Sequence, residues 1–203
     1  NAATTDIQNW PRLVQFSWIV TDNFQNILAK HNHIIKPNNY IIPDDSVAIH
    51  GITTEYAKTH GKDLTEVLFA FIEDLKKVKY IIGHNIDFDK KIIQAECFRT
   101  NTILPWNEKI SICTMKSAVN FCKIQNYYGY RYPKLQELYK KLFGVEFNNA
   151  HDSSSDILAT LKCFWEMIKK GIITIPQENS YQNNIGTVVK RIKLYKELIA
   201  NVI

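Results

Sequence analysis

Tyr80-Ile81-Ile82 is a short apolar run that stops at Gly83, and a helical pattern over residues 88–99 follows almost at once. A buried strand that feeds directly into a helix is the repeating element of an α/β layer fold. The rest of the chain has the same character. Val14, Phe16, Trp18 and Val20 alternate with Leu13, Gln15, Ser17 and Ile19, the period of a strand over residues 13–20. Asp22-Asn23 forms a turn, and residues 27–35 read as the hairpin partner. Residues 38–53 read as irregular, with Pro43, Asp44 and Asp45 as breakers. Leu64, Val67, Leu68, Phe71, Ile72, Leu75 and Val78 then take the spacing of an amphipathic helix. A short strand is expected over 110–113, and a helix opened by Pro133 and closed by Gly144. The last strong helix covers 153–170, with Gly171 as its stop.

The chain has 203 residues, 45% hydrophobic and 22% charged, with 7 Gly and 6 Pro, which excludes disordered and collagen-like classes. This is enough for one domain with its own core, read here as residues 1–173. Residues 174–184 turn polar and read as a linker. Residues 187–203 read as a short basic amphipathic helix with Lys190, Arg191, Lys193 and Lys196. A net charge of +5 is compatible with a polyanionic ligand without requiring one. Cys97, Cys113, Cys122 and Cys163 form no CxxC pair and each sits in an apolar stretch, as free thiols of a cytoplasmic protein do. No apolar run approaches a membrane span, and no signal peptide is visible.

Three constellations could carry chemistry. His84-Asn85-Ile86-Asp87-Phe88-Asp89 lies at the strand-to-helix junction, where open α/β sheets place ligands. Asp87 or Asp89 could equally cap the helix, with Phe88 turned into the core. His151-Asp152-Ser153-Ser154-Ser155-Asp156 resembles a capping box at Ser153 and Asp156, which leaves His151 unexplained. A His and a carboxylate at that spacing can converge on one water or metal. His50-Gly51-Ile52-Thr53 could line a pocket, or be a loop with a turn glycine.

Taken in order, these residues resemble the histidine branch of the DEDD superfamily of 3′–5′ exonucleases, the branch that includes the proofreading epsilon subunit of bacterial DNA polymerase III. The family's HNxxFD is matched by His84 to Asp89. Its His-x4-Asp is matched by His151 and Asp156, and its HGIT by His50 to Thr53. The resemblance covers roughly Trp10 to Lys170. It implies a ribonuclease-H-like α/β fold, a mixed five-stranded sheet flanked by helices. It also implies hydrolysis of phosphodiester bonds at nucleic-acid 3′ ends by two Mg²⁺ or Mn²⁺ ions. Asp89 and Asp156 would then be metal ligands and His151 the general base, with His50, Ile52 and Phe88 near the terminal nucleotide. The implied partner is a single-stranded DNA or RNA 3′ end, with a DNA polymerase subunit as a second.

The first motif departs from the family. DxETT on the first strand has no counterpart before Leu13; Asn1-Ala2-Ala3-Thr4-Thr5 matches it in spacing but carries Asn and Ala where the acids belong. A chain that starts after the first strand, replaced acids and a natural inactive relative all account for this. Each predicts a weakened metal site in this polypeptide, and a missing strand predicts a gap in the sheet that another segment must cover. The alternative function is a non-catalytic nucleic-acid-binding or polymerase-associated module of the same fold. Tyr127-Tyr128-Gly129-Tyr130-Arg131-Tyr132-Pro133-Lys134 interleaves aromatics with cations as single-strand binders do, although a packed aromatic loop is the expected reading.

Overall fold

The computed structural model describes residues 7–147, 153–175 and 196–202. Its strands are β1 (Gln15–Asp22), β2 (Ile27–Ile34), β3 (Tyr80–Gly83), β4 (Ile110–Cys113), β5 (Gln125–Asn126), β6 (Gly129–Tyr130) and β7 (Lys196–Val202). Five of them form a central mixed sheet in the order β2-β1-β7-β3-β4, and β5 pairs with β6 apart from it. β1 pairs antiparallel with β2 and β7, while β3 runs parallel to both β4 and β7.

Every residue of β1 is buried, because strands lie on both sides of it and helices cover both faces of the sheet. Its alternation divides the core. Phe16, Trp18 and Val20 pack with Ile81 of β3 against α3 (Leu64–Lys76) and α4 (Ile86–Arg99). Ile19, with Tyr80 and Ile82, points to the other face, toward α7 (Leu135–Phe143) and α8 (Ser153–Lys169). Trp18 is fully buried, and its indole N–H donates to Asp74 at 3.0 Å while its ring stacks on His31 at 4.4 Å. Cys97, Cys122 and Cys163 are buried and Cys113 half-buried, all as free thiols. Burial pushes the Cys163 thiol up to about 12 and the Cys97 thiol to about 11, so both are inert packing groups. Among the described residues, no helix is long and apolar enough to cross a membrane.

Two expectations are overturned. Residues 38–53 are not irregular: they hold α1 (Asp44–His50), and α2 (Thr54–His60) follows. Pro43 is the residue that precedes α1, with φ −64°, and Asp44 and Asp45 stand in the first turn, where the helix dipole favours them. The apparent breakers are therefore start signals. At the other end, 196–202 is a central strand rather than part of a basic helix. Leu198-Ile199-Ala200 is an apolar run suited to a position with neighbours on both edges, and β1 and β3 supply those neighbours. Lys190, Arg191 and Lys193, with all of the expected linker beyond residue 175, lie outside the described residues. β7 stands between β1 and β3 in the middle of the sheet.

Candidate active site

β3 ends at Gly83 and α4 begins at Ile86, leaving two residues to reverse the chain. Asn85 does so in the left-handed region at φ 73°, a conformation that asparagine tolerates better than other side-chain-bearing residues. Neither Asp87 nor Asp89 caps α4, since Asn85 holds the cap position. The helix then sorts its first turn. Asp87 points outward and pairs with Lys116 of α5 (Thr114–Ser117). Asp89 is only 3% exposed. Phe88 does not turn into the core: it is 38% exposed and sits against Trp10, with ring centroids 5.7 Å apart.

His84 is a bolt between distant segments. Its Nε2 meets the Pro133 carbonyl at 3.0 Å, so this nitrogen carries the proton. Nδ1 is then the acceptor for the Thr114 hydroxyl at 3.1 Å. Burial depresses its pKa to about 4, with the Pro133 carbonyl acting in the opposite sense. A neutral imidazole with both nitrogens engaged has no free edge for catalysis. Its work is to hold the start of α7 beside the β3–α4 junction.

The His50-Gly51-Ile52-Thr53 segment forms the corner between α1 and α2. Gly51 takes φ 74°, and the Thr53 hydroxyl caps α2 by accepting from the Tyr56 N–H at 3.1 Å. The Ile52 side chain is buried with Val14, Ile42 and Ala57, while its N–H donates to His50 Nδ1 at 3.0 Å. That bond assigns the proton to His50 Nε2, a buried donor with no hydrogen-bond partner among the described residues. Burial lowers the His50 pKa, which favours this neutral form. Ile52 therefore positions the histidine from beneath.

Asp156 stands half-buried in the first turn of α8, the helix whose apolar side packs on the sheet face opposite to that of α4. His151 lies outside the described residues. Among the described residues, no group of three His, Cys, Asp or Glu side chains is close enough to hold a metal ion. Asp89 and Asp156 remain as hard-oxygen donors of the kind Mg²⁺ and Mn²⁺ prefer.

Sequence reasoning missed the support under Trp10. Glu96 is 1% exposed; its Oε1 accepts from the Leu13 N–H at 2.8 Å and from Arg12 Nε at 3.0 Å, and is ion-paired with Arg99 Nη1 at 3.1 Å. Arg99 in turn donates to the carbonyls of Trp10 and Pro11. This network ties residues 10–13 to α4 and so holds Trp10 beside Phe88. An isolated Glu in a helical stretch gives no local sign of such a role.

A profile of the RNase_T exonuclease family matches residues 4–164. Exodeoxyribonuclease I of Buchnera aphidicola subsp. Schizaphis graminum (strain Sg) is 30% identical over 171 residues, covering 73% of this chain and 34% of that protein. E. coli exonuclease I crystallised with a dT13 oligonucleotide superposes with a TM-score of 0.62 at 25% identity, over 78% of this chain and 37% of the other. The same enzyme with a dA16 oligonucleotide gives 0.62 at 24% identity, over 77% and 36%. The chain thus spans about a third of the length of these relatives. With the ordered motifs, the five-stranded mixed sheet and a match over most of its length, the chain belongs to the RNase_T exonuclease family of the DEDD superfamily.

Proposed function

We propose that the protein removes nucleotides from the 3′ ends of single-stranded nucleic acid, with DNA as the substrate class. The observation that carries this reading is the sorting of the first turn of α4. The motif acid Asp89 is buried, the motif aromatic Phe88 is accessible beside Trp10, and Asp87, in a variable slot, faces solvent in an ion pair. DNA is favoured because the superposing E. coli exonuclease I was crystallised with dT13 and dA16. Phe88 offers a face for the terminal base, and the His50 Nε2–H offers a donor to the terminal nucleotide. Asp89 and Asp156 would hold Mg²⁺ or Mn²⁺, which when bound supply an activated water and steady the leaving 3′ oxygen. His151, by its place in the third motif, would take the proton of the attacking water.

The test is digestion of a 5′-labelled single-stranded DNA and its RNA counterpart by the complete gene product with Mg²⁺ or Mn²⁺. Stepwise shortening from the 3′ end with release of 5′-mononucleotides is expected, abolished by Asp89→Asn and by Asp156→Asn and nearly unchanged by Asp87→Asn. Equal loss from Asp87→Asn and Asp89→Asn would show that the wrong carboxylate has been assigned. Faster digestion of the RNA would overturn the substrate class. The polypeptide of residues 1–203 carries two of the family's four motif acids, so its own turnover is expected to be weak. Binding of single-stranded DNA without any cleavage, even by the complete gene product, would favour the non-catalytic module.

A further inference from the structure

Between α6 (Val119–Cys122) and α7, the strands β5 and β6 pair as a small antiparallel hairpin. Its tip is Tyr127-Tyr128, 94% and 91% exposed. The packed aromatic loop expected from the sequence is therefore not what forms. The two rings meet edge to face at 5.1 Å, and Asn126 Oδ1 fixes the turn by accepting the Tyr128 N–H at 2.9 Å. The root is equally well fixed. The Arg131 N–H donates to the Ile124 carbonyl at 2.9 Å, and its guanidinium holds both oxygens of Glu137 on α7, at 2.9 and 2.6 Å. Arg131 pulls the Glu137 carboxyl down to about 2, so the pair persists well into acid.

A loop with two tyrosines almost wholly in water, on a base this firmly tied, presents aromatic surface rather than burying it. Two further features say what that surface suits. Lys123 at one root and Lys134 at the other are exposed, and among the described residues neither ammonium group is in a salt bridge, which leaves them available to phosphates. The C-terminal root is also bound to the candidate active site. Pro133 receives the His84 Nε2–H, and Tyr132 lies within electrostatic reach of Lys116, the partner of Asp87.

We propose that this hairpin is a stacking platform for single-stranded nucleic acid, which holds bases upstream of the 3′ end while the terminus enters the site. The proposal rests on the exonuclease reading above and adds a second contact region to it. Every base has a π-face, so two tyrosines can grip a strand without reading its sequence, and the flanking lysines meet its backbone.

The test uses the full chain without divalent metal and fluorescence anisotropy of labelled dT20 and dT4. Tyr127→Leu with Tyr128→Leu keeps apolar side chains but removes the π-faces. It should weaken dT20 binding on the order of tenfold or more, the effect of one or two lost stacks, and leave dT4 binding nearly unchanged. Tyr127→Phe with Tyr128→Phe should bind dT20 as the parent does. Lys123→Gln with Lys134→Gln should lower the salt dependence of dT20 binding, whereas the leucine pair should not. Since both tyrosines are exposed, the variants do not depend on repacking the fold. Unchanged dT20 binding by the leucine pair, against a parent that binds, would overturn the platform and spare the exonuclease reading. A parent that binds no oligonucleotide would overturn both. A leucine pair that changes only self-association, seen by sedimentation, would assign the tip to contact between copies and likewise overturn the proposal.

Discussion

Acid should weaken the fold through His84 before it touches the carboxylates. The ring is held neutral between Pro133 and Thr114, and burial takes its pKa from 6.5 in an unfolded chain to about 4. Because the folded value is the lower one, the neutral ring favours folding fully above pH 6.5. That contribution is lost as pH falls from there through about 4. Each tenfold weakening of proton binding is worth about 1.4 kcal/mol, so the loss is about 2 kcal/mol at pH 5 and approaches about 3 kcal/mol at pH 4. Asp74 and Glu137 are stabilised as carboxylates, so their contributions are lost only as pH falls below the ordinary carboxylate range.

Urea unfolding followed by tryptophan fluorescence at pH 7 and pH 5 measures the effect. His84→Gln keeps a donor where Nε2 stood and removes the titration. Subtracting its pH dependence from that of the parent cancels His33 and His50, whose pKa values burial also lowers. The difference should be about 2 kcal/mol. If parent and His84→Gln lose stability in parallel between pH 7 and 5, the ring is not a buried neutral bolt.

Four further outcomes are expected. Glu96→Ala removes the shared acceptor of the Leu13 N–H and Arg12 Nε and the counter-ion of Arg99, and should cost about 3 kcal/mol in urea unfolding; a loss below about 1 kcal/mol would show that water replaces the carboxylate. Gly61→Ala would place a methyl 2.3 Å from the Ala57 carbonyl oxygen and 2.6 Å from the Lys36 nitrogen, both backbone atoms, so a melting temperature equal to the parent's would contradict this close approach. His50→Ala should raise KM for single-stranded DNA about tenfold, the worth of one hydrogen bond, with kcat little changed; a fall in kcat alone would move His50 from binding to chemistry. His151→Ala should lower kcat by about 10²- to 10⁴-fold with metal affinity retained, and an unchanged rate at neutral pH would remove it from the mechanism.

The parts of the fold legible in the sequence are those whose pattern is set by local burial. β1 and β2 show a period of two around a turn, and α3 and α8 carry continuous apolar faces because each helix buries one side of itself. α1 buries no residue at all, so it has no stripe to detect, and its proline and two aspartates look like loop residues. The motif residues are legible as a set but not in their roles. His84 bonds to a carbonyl 49 residues away, and Phe88 is placed by Trp10, whose own position depends on Glu96. Distances of that kind have no period. A sequence pattern names the residues, and the tertiary contacts decide which of them brace the site and which face its opening.

β7 is the element that depends most on tertiary pairing. In the order β2-β1-β7-β3-β4, β7 is the strand that hydrogen-bonds the β1–β2 hairpin to the β3–β4 pair. Ile199 stands in register with Ile19 on one side and Ile82 on the other, so one strand near the end of the chain joins two halves formed by its beginning and middle. Within 187–203 the lysine spacing favours a helix, and the strand is selected only because both neighbours offer open ladders of N–H and C=O groups. Leaving those ladders unpaired inside a sheet covered on both faces would cost about 1–3 kcal/mol for each buried group, far more than the helical preference of a few residues. The same pairing sets the β3–α4 junction against the rest of the sheet. The depth at which Asp89 lies is therefore a consequence of how the sheet is closed as much as of the motif that contains it.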